Sequence, residues 1–168
     1  MAFKKTLFLL LASVLSACGF HLRGGVDLPV IMQSTYVDSQ FPFDAMSRAI
    51  GQELRASKVN VTQQQETATV ILKLISHRSN RRVLSVGSSG RATEYELFEE
   101  ITFELSDTQG KVYLEPQTLS MTRDFVFDET QLLGKVEEGE AIRTQLQQTL
   151  ARRILTRIQI KLGSLSNQ

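Results

Sequence analysis

The 168-residue chain is poor in the residues that most often mark chemistry. It has one cysteine, so no disulfide can close within it. Its two histidines, His21 and His77, stand far apart, and no spacing of metal ligands is present. The sequence has no HExxH, no Gly-x-Ser-x-Gly and no glycine-rich phosphate loop. No catalytic residue, cofactor or metal is therefore expected, and the chain reads as a non-enzyme. Lys and Arg (19) nearly balance Asp and Glu (18), which gives no global attraction to nucleic acid. No apolar run reaches the roughly 20 residues needed to cross a bilayer as a helix. Internal repeats and low-complexity segments are absent as well.

What is present begins at the N-terminus. Lys4 and Lys5 precede a short apolar run, Leu7 to Leu11, extended by Ala12, Val14 and Leu15. That order is the pattern of a removable export signal. The run ends in Leu15-Ser16-Ala17-Cys18, which resembles a lipobox. The expected processing is cleavage between Ala17 and Cys18, a diacylglyceryl group on the thiol and an acyl group on the freed amine. An ordinary free or buried thiol is the alternative, and its place directly behind an export signal argues against it. Two or three acyl chains, at about 0.8 kcal/mol per buried methylene, hold a protein far more firmly than one. Gly19 stands where lipoproteins kept at the inner membrane often carry Asp, which favours the outer membrane.

Residues 1–17 are thus expected to be a cleaved signal. Residues 18–32, with Gly19, Gly24, Gly25 and Pro29, should run extended from the membrane to the domain. A single domain at 33–163 and a short tail at 164–168 complete the expected organisation. Within it, Ser34 to Val37 reads as a strand, and Asp44 to Ser57 as a helix with Met46, Ile50 and Leu54 on one face. Ala68 to Ser76 alternates as a second strand. In Ala92 to Ser106, Tyr95, Leu97, Ile101, Phe103 and Leu105 oppose Glu94, Glu96, Glu100 and Glu104. The glutamates between Glu66 and Glu104 could suggest paired carboxylates, but alternation assigns most of them to a solvent face. Asp107 to Gly110 is a turn signal, and Lys111 to Phe127 returns as a strand, at an edge or bulged near Pro116. A second helix should start near Val136, with Ile142, Leu146, Leu150, Ile154, Ile158 and Leu162 repeating every four residues. The expected fold is α+β: two amphipathic helices packed on a four-stranded mixed β-sheet, in the order β-α-β-β-β-α.

Charge is segregated locally. No acid occurs between Glu66 and Glu94, yet Lys73, His77, Arg78, Arg81, Arg82 and Arg91 all fall there. Arg81 to Arg91 is expected to span a mobile connection between two strands, with Ser85, Gly87, Ser88, Ser89 and Gly90 in it. Arginine pairs with phosphate and carboxylate in a two-pronged geometry, so such a tip could bind anionic groups. It could equally be a solvated hairpin that keeps a sheet end soluble. Lys135, read as lying in the loop before the last helix, is a further cation for the same end.

Cys18-Gly19-Phe20-His21-Leu22-Arg23-Gly24 resembles the mature N-terminal signature of the lipopolysaccharide-assembly lipoprotein family LptE, also called RlpB. The likeness continues through Ser47-Arg48-Ala49-Ile50, Gln52-Glu53-Leu54-Arg55, Ala92-Thr93-Glu94-Tyr95-Glu96 and Arg123-Asp124-Phe125-Val126-Phe127-Asp128. The resemblance implies an outer-membrane lipoprotein facing the periplasm and the lumen of an LptD-type β-barrel, which it plugs as a heterodimer and helps to assemble. It also implies binding of lipopolysaccharide, with Arg91 and Lys135 at the matching positions and Arg81 and Arg82 nearby. The competing expectation is an outer-membrane lipoprotein that serves as scaffold or accessory of a different envelope-assembly machine.

Overall fold

A computed structural model describes residues 25–127 and 132–165, without the side chains of residues 132–135 and 165. Ala17 and Cys18 lie outside the described residues. Five strands and two α-helices follow in order: β1 (Ser34–Ser39), α1 (Ala45–Ala56), β2 (Asn60–Thr62), β3 (Val70–Val86), β4 (Ala92–Ser106), β5 (Val112–Val126) and α2 (Leu132–Leu165). The sheet has five strands rather than the expected four, in the order β2-β1-β3-β4-β5. The additional strand, β2, is three residues long, too short to show a hydrophobic period. It exists by pairing parallel with Ser34–Tyr36 at the sheet's edge. β1 also pairs parallel with β3, and β3, β4 and β5 form an antiparallel meander.

α1 starts where Asp44 caps it, its Oδ1 accepting from the Ser47 amide at 2.6 Å. Met46, Ala49, Ile50 and Leu54 are buried on one stripe. α2 is about 50 Å long at 1.5 Å per residue and starts four residues earlier than Val136. Its Leu146, Leu150, Ile154, Ile158 and Leu162 are buried with Ala151 and Leu155. Each large aliphatic side chain so buried contributes about 1.5–3 kcal/mol relative to exposure. Both helices cover one face of the sheet, where Ile101, Phe103 and Leu105 of β4 meet Val70, Leu72 and Leu74 of β3. All odd-numbered β4 residues from Leu97 to Leu105 are buried, and the even-numbered ones only partly.

β3 continues ten residues past the expected end at Ser76. Polar rungs to β4 on the helix-free face replace hydrophobic alternation there: Arg78 pairs with Glu100, Arg82 with Glu96 at 2.6 Å, and Ser85 donates to Glu94 at 2.8 Å. β5 is an edge strand, and its register with β4 shifts between Leu114 and Gln117, around Pro116. The N-terminal segment enters at the other end of the molecule. Gly25 lies against Ala56 and Ser57, where a Cβ would strike backbone, and Met32 is fully buried in the core.

Candidate functional site

The β3–β4 hairpin projects past the end of β1, whose last pair joins Ser39 to Leu74. Its turn is closed by hydrogen bonds from the Gly87 amide to the Arg91 carbonyl (2.8 Å) and from the Gly90 amide to the Gly87 carbonyl (2.9 Å). Gly90 takes φ of 76°, a left-handed conformation that favours glycine. The connection is thus a short turn rather than a segment running from Arg81 to Arg91. Arg81 and Arg82 are strand residues on opposite faces, while exposed Arg91 ends the turn.

The basic residues differ in surroundings. Arg82 is matched by Glu96, as Arg78 is by Glu100. Arg81 lies on the helix-side face with its guanidinium 4.7 Å from the centroid of Tyr95. Tyr95 stacks on Phe125 (centroids 5.8 Å apart) and meets Phe127 edge-on at 5.3 Å. With Leu97, Met121, Ile142 and Leu146 these rings make a small apolar cluster separate from the main core. α2 begins over this cluster: a Cβ on Gly139 would sit 3.2 Å from the Phe125 ring. Position 135 is one turn earlier, within α2 rather than in a loop before it. The Phe127 amide donates to Thr93, so the chain leaves β5 beside the residues that follow Arg91. The backbone thereby brings positions 91 and 135 to one end of the sheet. Gly25 is at the opposite end, since the sixteen steps of β3 span roughly 50 Å.

Between the two apolar clusters lies a buried polar layer that alternation did not reveal. Glu99 shares the apolar parity of β4, between Leu97 and Ile101, and is fully buried. Its Oε2 lies 2.7 Å from His77 Nε2, and its Oε1 accepts from Ser79 Oγ at 2.6 Å and from Gln147 Nε2 at 3.4 Å. Arg143 Nε approaches Oε1 to 3.5 Å without hydrogen-bond alignment, which leaves attraction between the charges but no acceptor for that N–H. The other histidine nitrogen, Nδ1, is 3.0 Å from Asp44 Oδ2. Both partners are carboxylates, and only a doubly protonated ring can donate to both. The Glu99 hydrogen bond accordingly raises the His77 pKa above its ordinary 6.5, against the lowering effect of burial, with the Glu99 and Asp44 charges adding to the rise. One imidazole ring therefore ties the cap of α1 to β3 and β4, and Glu99 ties β4 to α2. The consecutive pair Glu99-Glu100 was the available signal: one of the two must face the helices.

Among the described residues no group of three His, Cys, Asp or Glu side chains could hold a metal ion, and no helix is long and apolar enough to cross a membrane. The architecture defines a class: α+β domains whose helix pair covers one face of a mixed sheet with a long hairpin. The fold is similar to that of a lipoprotein B from Nitrosomonas europaea, with a TM-score of 0.70, 25% identity and coverage of 86% of this chain and 93% of that one. The rare lipoprotein B of Shewanella oneidensis is similar too, with a TM-score of 0.67, 22% identity and coverage of 79% and 98%.

The family model described as LptE, lipopolysaccharide-assembly, matches residues 32–158. The LPS-assembly lipoprotein LptE of Photorhabdus laumondii is 30% identical over 154 residues, 91% of this chain and 84% of that protein. That of Pectobacterium atrosepticum is 26% identical over 155 residues, 91% and 83% of the two chains. The chain belongs to the LptE lipopolysaccharide-assembly family.

Proposed function

We propose that this protein is an outer-membrane lipoprotein that plugs an LptD-type β-barrel, assists its assembly and binds lipopolysaccharide during delivery to the outer leaflet. Cleavage between Ala17 and Cys18 leaves Cys18 carrying the lipid, and the domain faces the periplasm and the barrel lumen. The helix-free sheet face, with its Glu, Arg and Thr rungs, suits a wet contact with the polar lumen of such a barrel. The observation that carries the reading is the convergence of positions 91 and 135 at one end, about 50 Å from where the anchor segment enters. An anchor at one end leaves the other free to meet phosphate-bearing ligand. Arg91 and Lys135 are the principal ligand contacts in this reading. Arg81 is a secondary one. Arg82, with its charge matched by Glu96, contributes least.

The test is purification of the tagged lipoprotein from solubilised outer membranes, combined with its depletion in cells. The expected result is one large barrel in equimolar amount, with loss of surface lipopolysaccharide on depletion. A different stoichiometric partner, with surface lipopolysaccharide intact, would assign the protein to another envelope machine.

A further inference from the structure

A cleft of about 400 Å³ lies between α1 and the outer edge of the sheet. It is bordered by Arg48, Gly51 and Arg55 of α1, by Phe43, by Val37 of β1 and by Thr62 at the end of β2. β2 pairs with β1 only along Ser34–Tyr36, so the outer edge of β1 is uncovered from Val37 to Ser39. The cleft occupies that gap.

Two arginines border it. Arg48 and Arg55 are about two helical turns apart and so share one side of α1. Residue 51, between them, is glycine, which costs about 1 kcal/mol relative to alanine inside a helix. A Cβ at Gly51 would lie 3.3 Å from Arg55 Nη2 and 3.7 Å from Nη1. The Arg55 guanidinium therefore leans back a turn toward Arg48, over the space that glycine leaves. Arg48 Nη1 in turn donates to the Phe43 carbonyl, which holds it at the mouth of the cleft. Arg78, Arg82, Arg143 and Arg152 each meet a glutamate. Among the described residues no carboxylate pairs with Arg48 or Arg55, and no acid borders the cleft.

We propose that this cleft binds a phosphate monoester carried on an apolar body. Two guanidiniums on one acid-free cleft match the charge of a phosphate dianion, and each offers a two-pronged donor to its oxygens, whereas one carboxylate would leave a cation unmatched. Phe43, 86% exposed, and Val37 offer apolar contact to whatever bears the phosphate. The start of α1 lies beside His77, and ten steps of β3 and its turn, about 3.3 Å each, put Gly87 roughly 30 Å away. The cleft is therefore a separate site, and the proposal does not rest on the reading of the basic turn.

The experiment titrates the purified full chain, in a neutral sugar detergent, with inorganic phosphate, phenyl phosphate and water-soluble dihexanoyl phosphatidic acid, followed by amide resonances. Saturable shifts at Gly51, Phe43 and Thr62 are expected, with phenyl phosphate bound more tightly than inorganic phosphate. The exposed pair R48Q/R55Q should weaken phenyl phosphate binding by about tenfold or more while its spectrum stays folded. G51A, which favours the helix but crowds Arg55, should weaken it less. Tighter binding of the phosphatidic acid than of phenyl phosphate assigns the natural ligand to lipid headgroups, and the reverse assigns it to soluble phosphate esters. Shifts that never saturate, or that survive unchanged in folded R48Q/R55Q, overturn the proposal.

Discussion

His77 Nε2 lies 2.7 Å from Oε2 of Glu99, a carboxylate with no exposed surface on the helix-covered face of the sheet. Because that Glu99 hydrogen bond, with a smaller contribution from Asp44 at the other ring nitrogen, favours the charged ring over the lowering effect of burial, the folded state holds the proton more tightly than the unfolded chain does. The unfolded imidazole titrates near 6.5. The stabilisation is thus fully present below that value and is lost as pH rises through the raised folded pKa. Urea denaturation between about pH 5 and 9 should show stability declining on the alkaline side of 6.5. His77→Gln should flatten that decline. An equal decline in the variant would assign the dependence to other groups.

The same pair predicts non-additive mutational effects. His77→Ala leaves Glu99 buried with only Ser79 and Gln147 as hydrogen-bond donors, and breaking a buried ion pair from one side typically costs about 3–5 kcal/mol. Replacing both partners by Leu removes the unmatched charge, and should recover most of the stability lost in the single variant. A double variant as unstable as the two single losses summed would show that the groups act independently.

Much of the fold was legible because its strongest signals are apolar. The four-residue repeat from Leu150 to Leu162 and the alternation from Ile101 to Leu105 meet in the main core, while Leu146 and Leu97 continue both patterns into the smaller cluster. Arg81 and Arg82 lie in β3 rather than in a connection, and the partners that extend this strand are far away in sequence. Arg78 and Arg82 face Glu100 and Glu96 across the hairpin, so charge that is segregated along the chain is partly neutralised in space. A strand stabilised by such rungs has no hydrophobic period, which is why β3 was expected to end at Ser76. Glu99 was hidden for a related reason: parity places it on the apolar face, and the histidine and Ser79 hydroxyl from β3 with the amide from α2 make it tolerable there.

The small cluster under the start of α2 depends on a close approach. Gly139→Ala gains about 1 kcal/mol of helix propensity but sets a methyl 3.2 Å from the Phe125 ring, so its net effect should be small. Gly139→Leu must push α2 off Phe125 and should destabilise by about 1–3 kcal/mol. Hydrogen exchange should locate the loss at the hairpin end, with the Ile154 region unchanged.

The basic residues at that end should not contribute equally. Arg91→Asp together with Lys135→Asp is expected to weaken lipopolysaccharide binding by about tenfold or more, with folding and barrel association retained. Arg82→Gln should change it by less than about twofold, since its charge already faces Glu96 at 2.6 Å. Binding isotherms at low and high salt check both, because screening should narrow the difference. A loss as large in the charge-matched Arg78→Asp/Arg82→Asp variant would make the effect one of net charge rather than position.

Cys18→Ala separates the lipid from the rest of the attachment. A lipid on Cys18, as proposed, would be joined to the domain by the residues before Gly25, a reach of at most about 25 Å at full extension. Such a tether would restrain Gly25 and the end of α1 against which it lies, whereas the hairpin turn is roughly 50 Å away. If the barrel grips the sheet and hairpin, the unlipidated variant should still be retained in outer membranes in proportion to barrel abundance, and should be released when the barrel is depleted. If the lipid is the whole attachment, the variant should appear in the soluble periplasmic fraction at any barrel level. Fractionation across a range of barrel expression decides between the two, and a variant that stays membrane-bound without the barrel would count against both.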